Sequence, residues 1–442
     1  MALFALIAVE ESEAYLNLVL PKRIAEAKLS APDAAFATEL AYGTSRNQGF
    51  YDFVIEKATG RTPAEIDSDV LCAIRLGIHQ LLVLDTPAHA AIYETVELVK
   101  RKLKQSAGGF VNASLRRASE RTFDEWVELL ELEGYPEEQF LSIRYSHPVW
   151  ATRALRLALQ SEDSADELVE ALSSDNSNPK VHLVKLPGKE CSTKEFEPGT
   201  ASPIGFVLDS GDPSKVAGVA TGALRVQDQG SQLVSLALAA CTPTLKSENW
   251  LDLCAGPGGK AVLLSALASG DKARLTTNEL APHRALLVST ALRHSGFTAD
   301  QIVGDARKLS SDIGFDRIML DAPCTGLGAL RRRPESRWRK SDGNLKELSS
   351  LQRELITSAW ALLKPGGVLA YVTCSPHPAE TTAQVDWFMR ANQDALLLDA
   401  NGVLLQLNPH LDVRIGRKTA QLWPHRNGTD AMFLALIQKS AD

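Results

Sequence analysis

Two cysteines stand where a thiol can do chemistry. Cys324 lies in Asp321-Ala-Pro-Cys324-Thr-Gly and Cys374 in Thr373-Cys374-Ser-Pro. Each follows a short apolar run, Arg317–Leu320 and Val368–Thr373, that reads as a core strand bounded by turn residues. Functional loops gather at the carboxyl ends of such strands. If the two strands are neighbours, both thiols share one cleft. A thiolate is the reactive form, and free thiols titrate near pH ~8.5, so a site that uses one must lower that pKa or lend a base. Cys72, Cys241 and Cys254 carry no such context and read as small buried hydrophobes. The six cysteines include no C-x-x-C pair, so no zinc site, no other metal site and no disulfide framework is expected, and a reducing cytoplasm is the expected compartment.

A second constellation begins at Trp250-Leu-Asp-Leu-Cys-Ala-Gly-Pro-Gly-Gly-Lys260, followed by the helical stretch AVLLSALAS. A strand that runs into glycines and then a helix lets the backbone approach a ligand at the helix N-terminus. The loop is not G-x-x-x-x-G-K-[ST], which disfavours a nucleoside triphosphate. The next strand candidate, Arg274–Asn278, leads into Glu279, whose carboxylate can accept from both hydroxyls of a ribose. The third, Gln301–Val303, leads into Gly304-Asp305-Ala306, where Asp305 can accept from an adenine amino group. A glycine loop and two carboxylates in that order suit an adenosine ligand whose far end is not a pyrophosphate. In this the chain resembles S-adenosylmethionine-dependent methyltransferases. The resemblance implies S-adenosylmethionine as cofactor, held by Cys254, Ala255, Gly256, Pro257, Gly258, Gly259, Lys260, Glu279, Asp305 and Asp321.

The two cysteine motifs sort the family further. Amino-nitrogen methyltransferases carry D/N-P-P-Y/F where this chain has Asp-Ala-Pro-Cys, and no Glu-Asn-Val partner of the DNA cytosine enzymes occurs. Pro-Cys together with Thr-Cys resembles RNA 5-methylcytosine methyltransferases. In that chemistry a thiolate adds to cytosine carbon 6 and makes carbon 5 nucleophilic toward a sulfonium methyl. The resemblance implies Cys374 as nucleophile and Cys324 as the residue that helps release product. A carboxylic acid at Asp321 can hydrogen-bond ring nitrogen 3 of the base.

Just after Cys324 the run Arg331-Arg-Arg-Pro-Glu-Ser-Arg-Trp-Arg-Lys340 interleaves an aromatic with basic residues. Arg331, Arg332, Arg333, Arg337 and Trp338 are therefore expected to contact RNA phosphates and bases. Across nearly its whole length the chain resembles the RsmB (Sun or Fmu) family of bacterial 16S ribosomal RNA cytosine methyltransferases. The residues that carry this are Asp33-Ala-Ala-Phe36-Ala-Thr-Glu39-Leu-Ala-Tyr42-Gly43-Thr, Phe110-Val-Asn112-Ala-Ser-Leu115-Arg-Arg117, Tyr145-Ser-His-Pro148 and Val226-Gln-Asp-Gln-Gly-Ser-Gln232. The first two look like a NusB-type RNA-binding domain, in which Arg116 and Arg117 belong to a basic face. The implied substrate is 16S ribosomal RNA, with another ribosomal site or transfer RNA as alternatives and a non-catalytic antitermination factor as a remote one. Thr325 departs from the usual Ser, Ala379-Glu380-Thr381 from Glu-Glu-Asn, and Leu183–Leu186 from an Arg-Val-Asn stretch.

The elements that must position these residues fall into three regimes, for a multidomain chain of 442 residues. Residues 1–135 read as an all-α, NusB-like bundle: Val70, Ile74, Ile78 and Leu81 recur at helical spacing, as do Ile92, Val96, Val99 and Leu103. Residues 136–221, rich in Ser, Asp, Asn and Pro beyond Trp150, read as a connector with a small α+β subdomain in which VHLVKL is a strand. Residues 222–442 alternate strands with helices, the signature of an α/β, Rossmann-like class I methyltransferase domain with helices on both faces of a mostly parallel sheet. A net charge of −7 does not mark a protein that coats nucleic acid at large, so RNA contact must be local. No apolar run is long enough to cross a membrane, the acidic opening residues make a poor signal peptide, and the chain is expected to be a monomer.

Overall fold

The computed structural model of the protein describes residues 1–12, 14–245, 247–270 and 273–441. The chain forms two compact units: one holds Met1–Arg156, Asp166–Asn178 and Leu330–Arg339, the other Leu157–Ala165, Pro179–Ala329 and Lys340–Asp442.

The first unit is helical. Its central helix, Ser68–Leu82, buries twelve of its fifteen residues, so both flanks of the Val70, Ile74, Ile78 stripe meet neighbours. Pro87 precedes the next helix, Ala88–Lys102, which turns Ile92, Val96 and Val99 onto the same core. Thr122 and Glu125 close a capping box at the start of helix Phe123–Leu132, and Trp126 fills the core while its indole donates to the Ala118 carbonyl at 3.0 Å. Residues 136–156 and 166–178, where sequence composition suggests a connector, continue the helical pattern with Glu137–Arg144, the first part of Val149–Gln160, and Leu168–Ser174.

The segment Leu330–Arg339 packs within this helical unit, which changes the reading of the basic run. Arg337 is wholly buried. It donates to the carbonyls of Arg46 (3.2 Å), Ser146 (2.8 Å) and Asp175 (3.3 Å) and to Asn176 Oδ1 (2.9 Å). Burial brings its pKa down to about 10, opposed by the nearby Asp175 carboxylate, so the guanidinium stays charged at neutral pH. Arg331 is buried as well, and its carbonyl accepts from Arg46. These two guanidinium groups are therefore not exposed to phosphate as the sequence reading expects: Arg337 is fixed by backbone carbonyls. Arg333 is exposed and stacks over Tyr15, Trp338 is 37% exposed, and Arg332 is half-buried. Arg116 and Arg117 lie exposed on helix Gly108–Ala118.

The second unit holds two sheets. Strands β1 (Val181–Lys185), β2 (Glu197–Pro198), β3 (Gly205–Leu208) and β4 (Leu224–Val226) form a small antiparallel sheet in the order β2-β3-β1-β4. The larger sheet comprises β5 (Asn249–Asp252), β6 (Arg274–Glu279), β7 (Asp300–Val303), β8 (Phe315–Asp321), β9 (Leu363–Thr373), β10 (Ala395–Leu397) and β12 (Phe433–Lys439), in the order β10-β12-β9-β8-β5-β6-β7. The short β11 (Ala420–Gln421) pairs with β12. Strands β7, β6, β5, β8 and β9 run parallel, and β12 lies antiparallel beside β9.

Both faces of the large sheet are covered, which is why its strands read as unbroken apolar runs. Met319, Val368, Ala370 and Val372 enter one core with Leu233 and Leu404. Ile318, Leu320, Leu369 and Tyr371 alternate with them into a second core containing Ile356, Trp360 and Phe388. Chain order reverses between β5 and β8, so the crevice beyond their carboxyl ends is where a doubly wound sheet takes its ligand. Among the described residues, no helix is long and apolar enough to cross a membrane, and no cluster of three or more His, Cys, Asp or Glu is arranged to hold a metal ion.

If Arg337 is a structural fixture, Arg337→Ala should lower the stability of the helical unit by about 3–5 kcal/mol, because its acceptors lose a charged donor in a dry interior. Urea unfolding followed by circular dichroism measures this. A change below about 0.5 kcal/mol, typical of a surface site, would refute it.

Candidate active site

The glycine loop is shaped by its backbone. After β5, Leu253 N–H donates to the Met319 carbonyl and Ala255 N–H to that of Asn278, both at 2.9 Å, which ties the loop to the strands on either side. Gly258 takes a φ of +107°, and a Cβ there would fall 3.1 Å from the Val288 Cα in the helix behind it. Glycine is required by both the angle and the space. Helix Gly259–Gly270 then begins, so the positive end of its dipole lies at the loop.

Glu279 closes β6 and is nearly buried. Its carboxylate accepts from Gly256 N–H and from Ala281 N–H, both at 3.0 Å, and Arg284 lies 3.7 Å away while donating to the Gly256 carbonyl at 2.6 Å. The second carboxylate, Asp305, sits beyond β7 and accepts from Arg307 N–H, Nε and Nη2 at 2.7–3.2 Å. Those bonds hold its pKa down to about 2. Arg307 is held in turn by Glu354 at 2.8 Å. These residues fit an adenosine-bearing cofactor: a glycine-walled cradle, a carboxylate for the ribose hydroxyls and an ionised acceptor one strand further out. The sequence reading named both carboxylates. It gave no sign of Arg284 or Arg307, which orient them.

On the other side of β5, Asp321 ends β8. Its carboxylate pairs with Lys260 Nζ at 2.8 Å. Burial alone would push Lys260 toward its neutral form; the charge and hydrogen bond of Asp321 outweigh that and raise its pKa. Lys260, expected among the cofactor contacts, is thus fixed by Asp321, another residue expected there, and its charge is felt at Cys374. Asp252 lies wholly buried at the end of β5, with its pKa pushed up to about 7 by desolvation and by the Asp321 charge. Nothing in its sequence context singled it out.

The thiols meet. β8 and β9 pair in parallel with Asp321 opposite Val372, so the loops that leave them emerge side by side. Cys324 Sγ and Cys374 Sγ stand 3.3 Å apart. Only one proton can lie between them. Either sulfur can donate; with Cys324 as donor the hydrogen bond lowers the Cys374 pKa, against burial and Asp321 and with help from the Lys260 charge. The same hydrogen bond, with burial, raises that of Cys324. Both shifts favour Cys374 over Cys324 as the sulfur that ionises first.

The family description 16S rRNA methyltransferase RsmB/F matches residues 240–438, and the NusB family matches residues 1–120. Rv1407 of Mycobacterium tuberculosis is 42% identical over 443 residues, covering 98% of this chain and 94% of that protein. The ribosomal RNA small subunit methyltransferase B of Pseudomonas syringae pv. tomato is 30% identical over 456 residues, covering 99% and 96%. The chain belongs to the RsmB/F family of S-adenosylmethionine-dependent methyltransferases. Its fold has been seen before: the crystal structure of PH0851 superposes with a TM-score of 0.80 at 23% identity, covering 99% of this chain and 98% of that one. An RsmB/F domain behind a NusB domain accounts for both the α/β sheet and the helical unit.

The thiol pair has a measurable signature. Iodoacetamide should alkylate Cys374 with a pH midpoint below that of an ordinary thiol, near ~8.5. Cys324→Ala removes the donor that favours the thiolate, so the midpoint should move up. An unchanged or lowered midpoint in that variant, read by mass spectrometry of the Cys374 peptide, contradicts the hydrogen-bond assignment.

Proposed function

We propose that this RsmB/F enzyme methylates carbon 5 of a cytosine in 16S ribosomal RNA through a covalent bond between Cys374 and carbon 6 of the base. The observation that carries this reading is the 3.3 Å contact of two thiols at the ends of adjacent parallel strands, beside the Asp321–Lys260 pair. The family match supports the methyl donor, and the printed name of the Pseudomonas relative supports the substrate.

In this mechanism the Cys374 thiolate forms the S–C6 bond, and the displaced ring electrons collect at carbon 5. We assign Asp321 to the ring nitrogen 3 edge, where its carboxyl group must carry a proton to donate, and its partner Lys260 supplies that proton and with it the positive charge that offsets the electron density entering the ring. Bound S-adenosylmethionine supplies an electrophilic methyl group, held with its adenosine against Glu279 and Asp305. Once carbon 5 carries the methyl group, its proton leaves to a base, the S–C6 bond breaks and Cys374 regains its electrons as thiolate. Cys324 is the hydrogen-bond donor that stabilises that leaving thiolate. The target base must leave its stack to reach half-buried sulfurs. Arg332, Arg333 and Trp338 together with Arg116 and Arg117 are the side chains we assign to RNA phosphates and bases. The reaction belongs in the cytoplasm, where ribosomal RNA is assembled.

Glu279→Ala should weaken S-adenosylmethionine binding by about ten- to a hundredfold, from loss of a charge-assisted contact of about 1.5–3 kcal/mol. Calorimetry with the purified chain is the measurement, and wild-type affinity would remove Glu279 from the cofactor site.

The sharper test separates the thiols. Cys374→Ala should abolish both methylation and any covalent RNA complex while leaving cofactor binding intact. Cys324→Ala should still attack and transfer the methyl group, then stall as a covalent complex visible as a shifted band on a denaturing gel. Reversed behaviour would exchange the two roles, and full activity in both variants would exclude a covalent route. Bisulfite sequencing of ribosomal RNA from a deletion strain identifies the modified position, and an unchanged 16S pattern would exclude that substrate.

A further inference from the structure

Glu380 is a charged side chain with no place in the chemistry above, yet it is fully buried and lies in the turn Pro378–Glu380, six residues beyond Cys374. Its carboxylate accepts from both polar groups of Thr325, the residue next to Cys324: the backbone N–H at 2.8 Å and the hydroxyl at 2.5 Å. A third bond comes from Gln352 Nε2 at 3.1 Å, and that same amide donates to the carbonyl of Pro323 at 2.9 Å. The two residues that flank Cys324 are thus both held by one assembly. The Thr325 hydroxyl also lies 3.1 Å from that of Ser375, the residue after Cys374. At its other end Glu380 is anchored through its carbonyl, which accepts from Tyr371 Oη of β9 at 2.7 Å.

We infer that Glu380 is a positioning residue that clamps the Cys324 loop to the Cys374 loop and so sets how fast the product leaves the enzyme. This rests on the covalent mechanism proposed above. A buried carboxylate is costly unless every lone pair in use faces a donor, and here three donors converge on it. A contact between two sulfurs in separate loops has no backbone ladder of its own to enforce it. The loops are kept in register by this clamp and by the bond from Gly328 N–H to the Cys374 carbonyl at 2.9 Å. A glutamine can fill the same place: its carbonyl can accept from Thr325 N–H and Gln352, and its amide can donate to a Thr325 hydroxyl turned toward Ser375. An alanine cannot. A positioning role therefore predicts rescue by Glu380→Gln, whereas a role in proton transfer does not.

The test uses the full chain and two readouts. The first needs no RNA: diamide, a two-electron thiol oxidant, joins Cys324 to Cys374, and mass spectrometry of the linked peptides follows the rate. Glu380→Ala should slow this linkage about tenfold or more, as expected for loss of charge-assisted bonds, and Glu380→Gln should stay within about threefold of wild type. The second uses unmethylated 16S transcript and labelled S-adenosylmethionine. Glu380→Ala should retain cofactor affinity and the first methyl transfer but accumulate the covalent band seen with Cys324→Ala, and Glu380→Gln should restore turnover. Linkage at the wild-type rate in Glu380→Ala overturns the clamp, and so does a Glu380→Gln variant as slow in turnover as the alanine. If Glu380→Ala does not fold, Thr325→Val removes one of the three bonds at nearly constant volume: slower linkage supports the clamp and an unchanged rate refutes it. If Cys324→Ala and Cys374→Ala both stay fully active, the covalent mechanism has failed, and the diamide rates still decide the clamp.

Discussion

The parallel pairing of Phe315–Asp321 with Leu363–Thr373 is the constraint from which the active site follows. Two cysteines 50 residues apart become neighbours because their strands end at the same level of one sheet. Apolar burial on both faces fixes that level. Shifting either strand by one residue would move Ile318 and Leu320, or Leu369 and Tyr371, from one core into the other. The sheet thus uses hydrophobic register to set a polar distance. The pair Asp321 and Lys260 depends on the same register, since β8 supplies the acid and the helix after β5 supplies the base.

Electrostatics then divides labour between chemically identical groups. Both thiols are half-buried, and burial alone would hold both protonated. The shared proton breaks the symmetry, and Lys260 biases which sulfur carries the charge. Asp252 and Asp321 show the same principle in carboxylates: two acids close together at the ends of adjacent strands, of which the wholly buried Asp252 is pushed up to about 7.

Legibility of the sequence followed physical range. The core strands were readable because burial on two faces writes continuous apolar runs, and the glycine loop because the φ of +107° at Gly258 strongly favours glycine. Carboxylates at strand ends were readable because chain order maps directly onto sheet order. The short strands β10 and β11 were not, being two or three residues long at the margin of the sheet. Helix Leu168–Ser174 hides in a polar stretch because only Leu168, Ala171 and Leu172 face inward. The basic run after Cys324 misled for a related reason. A count of charges cannot tell an arginine awaiting phosphate from Arg337, whose acceptors are carbonyls and an amide contributed by residues 46, 146, 175 and 176. Glu380 was likewise visible only as part of a triplet, because its partners at 325 and 352 converge through tertiary structure.

The placement of Leu330–Arg339 inside the helical unit has a consequence for how such a protein can be assembled. The chain passes between its two units after Arg156, Ala165, Asn178, Ala329 and Arg339. They are interlaced along the chain and not strung on a single linker. A gene beginning at residue 179 would encode Glu335 and Arg337 without the backbone of Leu16, Ser146 and Asp175 that satisfies them. A gene ending at residue 178 would leave those same backbone groups without their partners. Fusion of the two folds is therefore hard to undo by loss of either part, and a ribosome must finish well past residue 339 before the helical unit can close.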